Sequence, residues 1–168
     1  MRKALYILGE LEDCDMIWLS QHGRVRRIAA GEALISEGHL PADLFFVTDG
    51  VFAVISGGRT IAEVALGDVL GEMSFVEKRA PSTSVIASEP SRVLAVPRSA
   101  FLAAFERDAA FAARFYRALA VFLSDRLRSA TAPAGDDAEE LDEGILDNVS
   151  MAGDRFVRLI AVLEGHDR

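Results

Sequence analysis

The chain has 168 residues, of which 51% are hydrophobic, and its formal net charge is -8. This composition excludes a wholly disordered chain, because it supplies enough apolar surface for one domain with a core. The single cysteine, Cys14, excludes an internal disulfide and any site built from several thiolates. No apolar run approaches the roughly 20 residues of a membrane-spanning helix, so we expect a cytoplasmic protein.

The first element predicted is a short helix over residues 15–21, which Gly23 ends. After it, short runs of β-branched and aromatic residues alternate with Gly, Pro and Asp, a pattern typical of strands and turns. Seven strands are predicted, at residues 25–29, 32–36, 43–50, 51–56, 59–66, 83–88 and 91–97. The Gly57-Gly58 pair predicts a tight hairpin, since glycine accepts the positive φ of a primed turn. We therefore expect a mainly β fold, a sandwich or a jelly-roll barrel with flanking helices.

The period of the sequence becomes helical after Pro97. Ser99 is expected to cap a short helix that runs through Glu106. Asp108 is expected to cap a longer helix that covers residues 109–130. With its cap this long C-terminal helix spans residues 108–130, and we assign it to the same domain as the barrel.

The long helix carries a stripe of apolar side chains at steps of four, four and three residues, namely Phe111, Phe115, Leu119 and Phe122. Alanines and a valine make much of the remaining circumference apolar, which indicates burial on more than one side. We expect one side to cover the barrel and the other to pair with a second copy around a two-fold axis, through residues 109–127. The phenylalanines of the stripe are expected to lie in a core, either that of their own chain or that of the homodimer. Glutamate at Phe115 or Phe122 is predicted to give monomers or insoluble protein.

Residues 131–168 are predicted to form an acidic linker and a C-terminal helix, distinct from a domain of residues 1–130. The linker covers residues 131–144, and a terminal amphipathic helix follows, capped by Asn148 or Ser150. Its apolar stripe consists of Val149, Ala152, Phe156, Leu159, Ile160 and Leu163. This end carries -7 of the total charge, which disfavours contact with nucleic acid. We expect the terminal helix to dock on its own barrel or to bind a protein partner.

The candidate functional site is the segment GEMSFVEKRAPSTS, residues 71–84. Together with residues 31–38, 43–55 and 65–70, it resembles the cyclic nucleotide-binding domain family, which includes catabolite activator proteins and protein kinase A regulatory subunits. The resemblance covers residues 14 to about 130 and implies a double-stranded β-helix, the jelly-roll barrel, followed by helices. It also implies that residues 71–84 are a phosphate-binding cassette. Such a cassette has a Gly-Glu pair, a short helix, and then Pro-Arg before a small residue.

The chemistry of this cassette follows from its ligand, which offers a ribose 2′-hydroxyl and one anionic phosphate. A carboxylate accepts the hydrogen bond of the hydroxyl, and glycine lets the backbone approach the ligand closely. A short helix presents free N–H groups to an anion, and an arginine adds a charge-assisted pair with the phosphate. The ligand implied is cyclic AMP, cyclic GMP or a related small anion, with no other cofactor and no enzymatic activity.

Carried over by position, the ligand-binding residues implied by the resemblance are Gly71, Glu72, Met73, Ser74, Ser82 and Thr83. Ser82 stands where the family has its arginine, and the nearest arginine, Arg79, comes three residues earlier. An ion pair with phosphate in a partly closed pocket contributes about 2–4 kcal/mol. We therefore expect weaker binding of cyclic nucleotides than an intact cassette gives.

Two functions remain open at this point. The first is a ligand-sensing regulatory domain that signals to a partner through its C-terminal helices. The second is a dimeric protein-interaction module that has lost its ligand. The hydroxyl-rich PSTS segment favours the first, and Ser82 favours the second. A transcription factor of the activator family would need a basic helix-turn-helix after the long helix. A metal-binding jelly roll would need clustered histidines, whereas His22, His39 and His166 show no ligand spacing.

Overall fold

The computed structural model describes residues 9–131 and 161–162. Four helices and eight strands make up the described elements. Their order is α1 (Asp13–His22), β1 (Arg24–Ile28), β2 (Ala33–Ile35), β3 (Asp43–Asp49), β4 (Val51–Ser56), β5 (Arg59–Ala65), β6 (Val69–Leu70), α2 (Glu72–Glu77), β7 (Ser84–Ala87), β8 (Ser91–Pro97), α3 (Arg98–Arg107) and α4 (Ala109–Thr131). The predicted linker and terminal helix lie outside the described residues, except that residues 131, 161 and 162 are helical.

The strands form two four-stranded antiparallel sheets, in the orders β1-β8-β3-β6 and β2-β7-β4-β5. This arrangement confirms the predicted mainly β jelly roll with flanking helices. On β8, Val93 and Ala95 pack between the two sheets, whereas Leu94 and Val96 pack against the helices. Successive side chains of a strand point to opposite faces, so β8 is buried on both sides. The sheet that contains β8 is therefore the middle layer, between the second sheet and the helices.

The seven predicted strands are confirmed, and one further short strand, β6, was missed. It has only two residues, Val69 and Leu70, which is too short to show a period of two. The hairpin between β4 and β5 is also confirmed, since Gly57 and Gly58 have φ values of 55° and 77°. Both torsions lie in the left-handed region that glycine accepts without strain.

The start of α3 differs from the prediction, whereas the start of α4 agrees with it. Ser99 does not cap the helix, because the helix begins at Arg98, one residue before Ser99. Pro97 precedes it, and its φ of -59° suits a helix start. The Arg98 N–H at this start donates to the carbonyl oxygen of Ala42 at 2.9 Å. Asp108 caps α4 as predicted, since its Oδ1 accepts a hydrogen bond from the Phe111 N–H at 2.9 Å.

The apolar stripe of α4 belongs to the core of its own chain. Phe111, Phe115, Leu119 and Phe122 are each at most 3% exposed. They pack with α1, α3 and the outer faces of β3 and β8. Of the two alternatives, the structure favours the core of the chain itself, because Phe115 and Phe122 are already covered within one chain and are not available to a dimer interface. The exposed face of α4 instead includes Tyr116 and Leu127, at 43% and 66% exposure.

A buried ion pair fixes α1 against α4. Arg114 Nε and Nη2 donate to the two carboxylate oxygens of Asp15, both at 2.8 Å. Asp15 is only 3% exposed, and its hydrogen bond raises the pKa of the Arg114 guanidinium above the usual value. Two parallel bonds between a guanidinium and a carboxylate set orientation as well as distance. The pair therefore determines how α4 lies across the helical layer.

We expect Arg114→Met to lower the free energy of unfolding by about 3 kcal/mol, because it leaves the Asp15 carboxylate buried without its cation. The matched control is Arg117→Met on the same helix. Arg117 pairs with Glu10 at 3.0 Å, but its side chain is 73% exposed. An exposed pair contributes only about 0–1 kcal/mol. Urea unfolding of both variants tests this, and equal losses of stability would contradict it.

Candidate functional site

The segment at residues 71–84 folds as a tight turn followed by the short helix α2. Gly71 precedes α2 with a φ of 85°, and its carbonyl oxygen accepts a hydrogen bond from the Phe75 N–H at 2.9 Å. The helix ends at Glu77, and the residue after it, Lys78, has a φ of 57° and an N–H that donates to the Ser74 carbonyl oxygen at 3.0 Å. A residue with a Cβ would be strained at the φ of Gly71, so the turn requires glycine there.

A cavity of about 360 Å³ lies beside this segment. All six residues predicted to bind ligand line it, namely Gly71, Glu72, Met73, Ser74, Ser82 and Thr83. The barrel contributes an apolar part of the lining, through Ile35, Val54, Leu70 and Val85. The volume and the mixture of apolar wall and few polar groups are typical of small-molecule sites. Among the described residues, no three His, Cys, Asp or Glu side chains are placed to hold a metal ion.

Glu72 is the buried charge of the cavity. Its side chain is 5% exposed, and its Oε1 accepts a hydrogen bond from Arg126 Nη1 at 2.5 Å. Burial raises the pKa of the Glu72 carboxyl, and the Arg126 guanidinium acts in the opposite direction. Arg126 lies on α4, 54 residues further along the chain. The ion pair therefore connects the cassette directly to the long helix.

Arg126 is a site residue that the sequence analysis missed. Its guanidinium lies over the ring of Phe122, 5.6 Å from the ring centroid, and its side chain is 30% exposed. The spacing of four residues from Phe122 places both on one helical face, which is the local signal that was present. Phe122 belongs to the predicted stripe, so the next position on that face had to meet the barrel too. Arg79 also lines the cavity, but it is exposed.

Arg98 is the second residue that the sequence analysis missed. Its side chain binds two backbone carbonyl groups of α2. Its Nη1 and Nη2 donate to the carbonyl oxygens of Ser74 and Phe75, at 3.2 and 3.3 Å. Its guanidinium also lies over the Phe75 ring, 5.6 Å from the centroid. A cation near the last carbonyls of a helix opposes their partial negative charge. Arg98 thus links the cassette to the junction between β8 and α3.

The family assignment follows from a direct comparison. The family model for the cyclic nucleotide-binding domain matches residues 25–108, which is half of the chain. The chain therefore belongs to the cyclic nucleotide-binding domain family, as its cassette indicated. The matched region contains all of the barrel except the first residue of β1, together with α3, whereas α4 with Arg126 lies beyond it.

Three known proteins show how far the similarity extends. The Pycsar effector protein XpPycTIR of Xanthomonas perforans is 31% identical over 111 residues, 66% of this chain and 37% of that protein. The cyclic AMP receptor protein of Thermus thermophilus is 33% identical over 105 residues, 60% of this chain and 47% of that protein. The crystal structure of a cyclic nucleotide-binding domain from Methylobacillus flagellatus superposes with a TM-score of 0.68 at 22% identity, over 76% of this chain and 78% of that one.

The two curated relatives are longer than the matched region, since the similarity spans less than half of each. Within the part of the chain that the structure describes, no helix combines the length and apolarity needed to cross a membrane.

We expect Arg98→Met to loosen α2 without unfolding the barrel, because two carbonyl oxygens and one aromatic face lose their cation. Hydrogen exchange should then speed up at the amides of residues 75–78, while the amides of β3 and β8 keep their protection. Arg59→Met is the control, since Arg59 is exposed in the hairpin at the start of β5. Equal exchange at α2 in the native protein and in Arg98→Met would contradict the role given to Arg98.

Proposed function

We propose that this chain is a regulatory sensing domain, without enzymatic activity of its own, that binds cyclic AMP or cyclic GMP in the cavity beside α2. The observation that carries the proposal is the buried carboxylate of Glu72, placed in one cavity with the five other residues that the family resemblance implies. One relative of the chain is named a cyclic AMP receptor protein, which supports the choice of ligand.

The proposed contacts follow the chemistry of the ligand. Oε2 of Glu72 accepts the ribose 2′-hydroxyl, since Oε1 already accepts from Arg126. The apolar wall of Ile35, Leu70 and Val85 packs against the sugar and base. The hydroxyls of Ser82 and Thr83, which line the same cavity, donate to the cyclic phosphate.

The signal in this proposal leaves the cavity through α4. Glu72 is bonded to Arg126, so a ligand that engages the carboxylate changes the contact between the cassette and the long helix. The helices beyond the barrel then carry this change to a partner, which is a second copy or another protein. Residues 1–130 form the sensing unit, and residues 131–168 form the connection to the partner. We propose no direct contact with nucleic acid, because the C-terminal end carries most of the negative charge.

The competing proposal is a dimeric interaction module that binds no cyclic nucleotide, and Ser82 is the observation in its favour. Calorimetric titration with cyclic AMP, cyclic GMP and cyclic dinucleotides separates the two. We expect native protein to bind cyclic AMP in the high micromolar range. Ser82→Arg should tighten binding at least tenfold, because it adds a charge-assisted pair with the phosphate. If neither protein binds any of these ligands, the interaction module is the better description.

The role of Glu72 has its own test, which compares cyclic AMP with its 2′-deoxy analogue. We expect native protein to prefer the ribose form, and Glu72→Ala to abolish this preference, at a cost of about 1–3 kcal/mol for cyclic AMP. Glu77→Ala is the matched control, because Glu77 lines the same cavity but is exposed. A ribose preference that survives in Glu72→Ala would remove Glu72 from the site.

The proposed homodimer uses the exposed face of α4 within residues 109–127. We expect native protein to sediment as a dimer at tens of micromolar. Leu127→Glu should give a folded monomer, since Leu127 is 66% exposed and takes no part in the chain's own core. Leu102→Glu on α3 is the control for surface hydrophobicity, at 38% exposure. A native protein that sediments as a monomer would rule out the dimer.

A further inference from the structure

The cassette of this chain has no cation at the position where its family carries one, yet a guanidinium still reaches the cavity. Two arginines line it, Arg79 from the cassette loop and Arg126 from α4. Arg79 is exposed, whereas Arg126 is held by Glu72 and by the face of Phe122. A side chain already held in one place loses little conformational entropy when a ligand binds it. Arg126 is therefore the better placed of the two to bind an anion.

The guanidinium of Arg126 has N–H donors that its bond to Glu72 does not use. A guanidinium has five N–H donors, and the bond to Glu72 uses Nη1. Among the described residues, no protein acceptor is bonded to its Nε or Nη2. One edge of the group thus serves the carboxylate while other donors are available to a ligand. The same guanidinium is able to bridge Glu72 and an anion in the cavity.

The pair matches two adjacent groups of a cyclic nucleotide. In a 3′,5′-cyclic nucleotide the 2′-hydroxyl lies on the ribose carbon next to the one that carries the phosphate ester. The site must therefore place a group that accepts a hydrogen bond from the hydroxyl next to a group that donates hydrogen bonds to the phosphate. Glu72 and Arg126 stand side by side, in contact. We propose that Arg126 replaces the missing cassette arginine as the partner of the ligand's cyclic phosphate, while it stays paired with Glu72; this inference rests on the proposed function.

The position of Arg126 also answers a problem of charge. A carboxylate at the base of the cavity repels an anionic ligand, and the repulsion grows where water is excluded. The guanidinium in contact with Glu72 cancels most of this field before the ligand arrives. Arg126 thus has two effects of the same sign on affinity, attraction of the phosphate and neutralisation of the carboxylate. Since it belongs to α4, the phosphate contact is made by the helix that carries the signal.

The test is a double-mutant cycle on the full chain, with NMR titrations of cyclic AMP that reach millimolar affinities. The four proteins are native, Ser82→Arg, Arg126→Gln and the double variant. We expect Arg126→Gln to weaken cyclic AMP binding at least tenfold in the native background and clearly less in the Ser82→Arg background. Two cations that serve the same phosphate are not additive in their effects. Arg128→Gln, an exposed arginine two residues further along α4, should change the affinity less than twofold.

A neutral ligand separates a phosphate contact from a structural role. Adenosine lacks the phosphate, so Arg126→Gln should weaken adenosine binding much less than cyclic AMP binding. Equal losses for both ligands would overturn the inference, and so would an affinity for cyclic AMP that rises in Arg126→Gln. A tenfold loss in Arg79→Gln with none in Arg126→Gln would assign the phosphate to Arg79 and overturn it too. If native protein and Ser82→Arg bind no cyclic nucleotide at all, the proposed function fails and this inference with it.

Discussion

The buried carboxylate of Glu72 is the constraint on which the arrangement of the site depends. An ionised carboxylate removed from water is costly unless a cation and hydrogen bonds accompany it. The cassette supplies no cation at Ser82, so the charge partner comes from α4, at Arg126. The C-terminal part of α4 must therefore lie close to the cassette. The Asp15–Arg114 pair orients the first half of α4. The phenylalanine stripe packs α4 against the middle sheet.

Phe75 is where the cassette and the helices meet. Its ring contacts Phe101 of α3 and Phe115 of α4, with centroid distances of 5.6 and 5.7 Å, and Arg98 lies over the ring. Interiors at native density do not deform continuously, so a displaced α2 would have to repack against both helices. The cassette is therefore joined to α4 twice, by apolar packing at Phe115 and by the ion pair at Arg126. In the proposed function, a ligand that shifts either contact biases the position of the same helix.

The sequence predicted those features whose signal is local. Alternating apolar residues located seven strands, the Gly57-Gly58 pair located a hairpin, and Asp108 was placed correctly as a cap. The errors arose where the determining partner is distant. A helical stripe shows which face of α4 is apolar but not what covers it, so the sequence does not decide whether Phe115 lies in its own core or in that of a dimer. The Glu72–Arg126 pair joins positions 54 residues apart. The spacing of Arg126 from Phe122 places it on the buried face of α4, but no local pattern identifies Glu72 as its partner.

The charges that line the cavity bear on the weight given to a single arginine in the proposed function. Four charged side chains of the described residues line the cavity, Glu72, Glu77, Arg79 and Arg126, and their formal charges cancel. The chain as a whole carries -8, so its long-range field disfavours the approach of an anion. Salt screens that field over about 8–10 Å, whereas a contact inside the cavity is screened much less. Under the proposed function, affinity for a cyclic phosphate therefore depends on one positioned donor group rather than on net potential, and Arg126 is the cation that the fold holds in position.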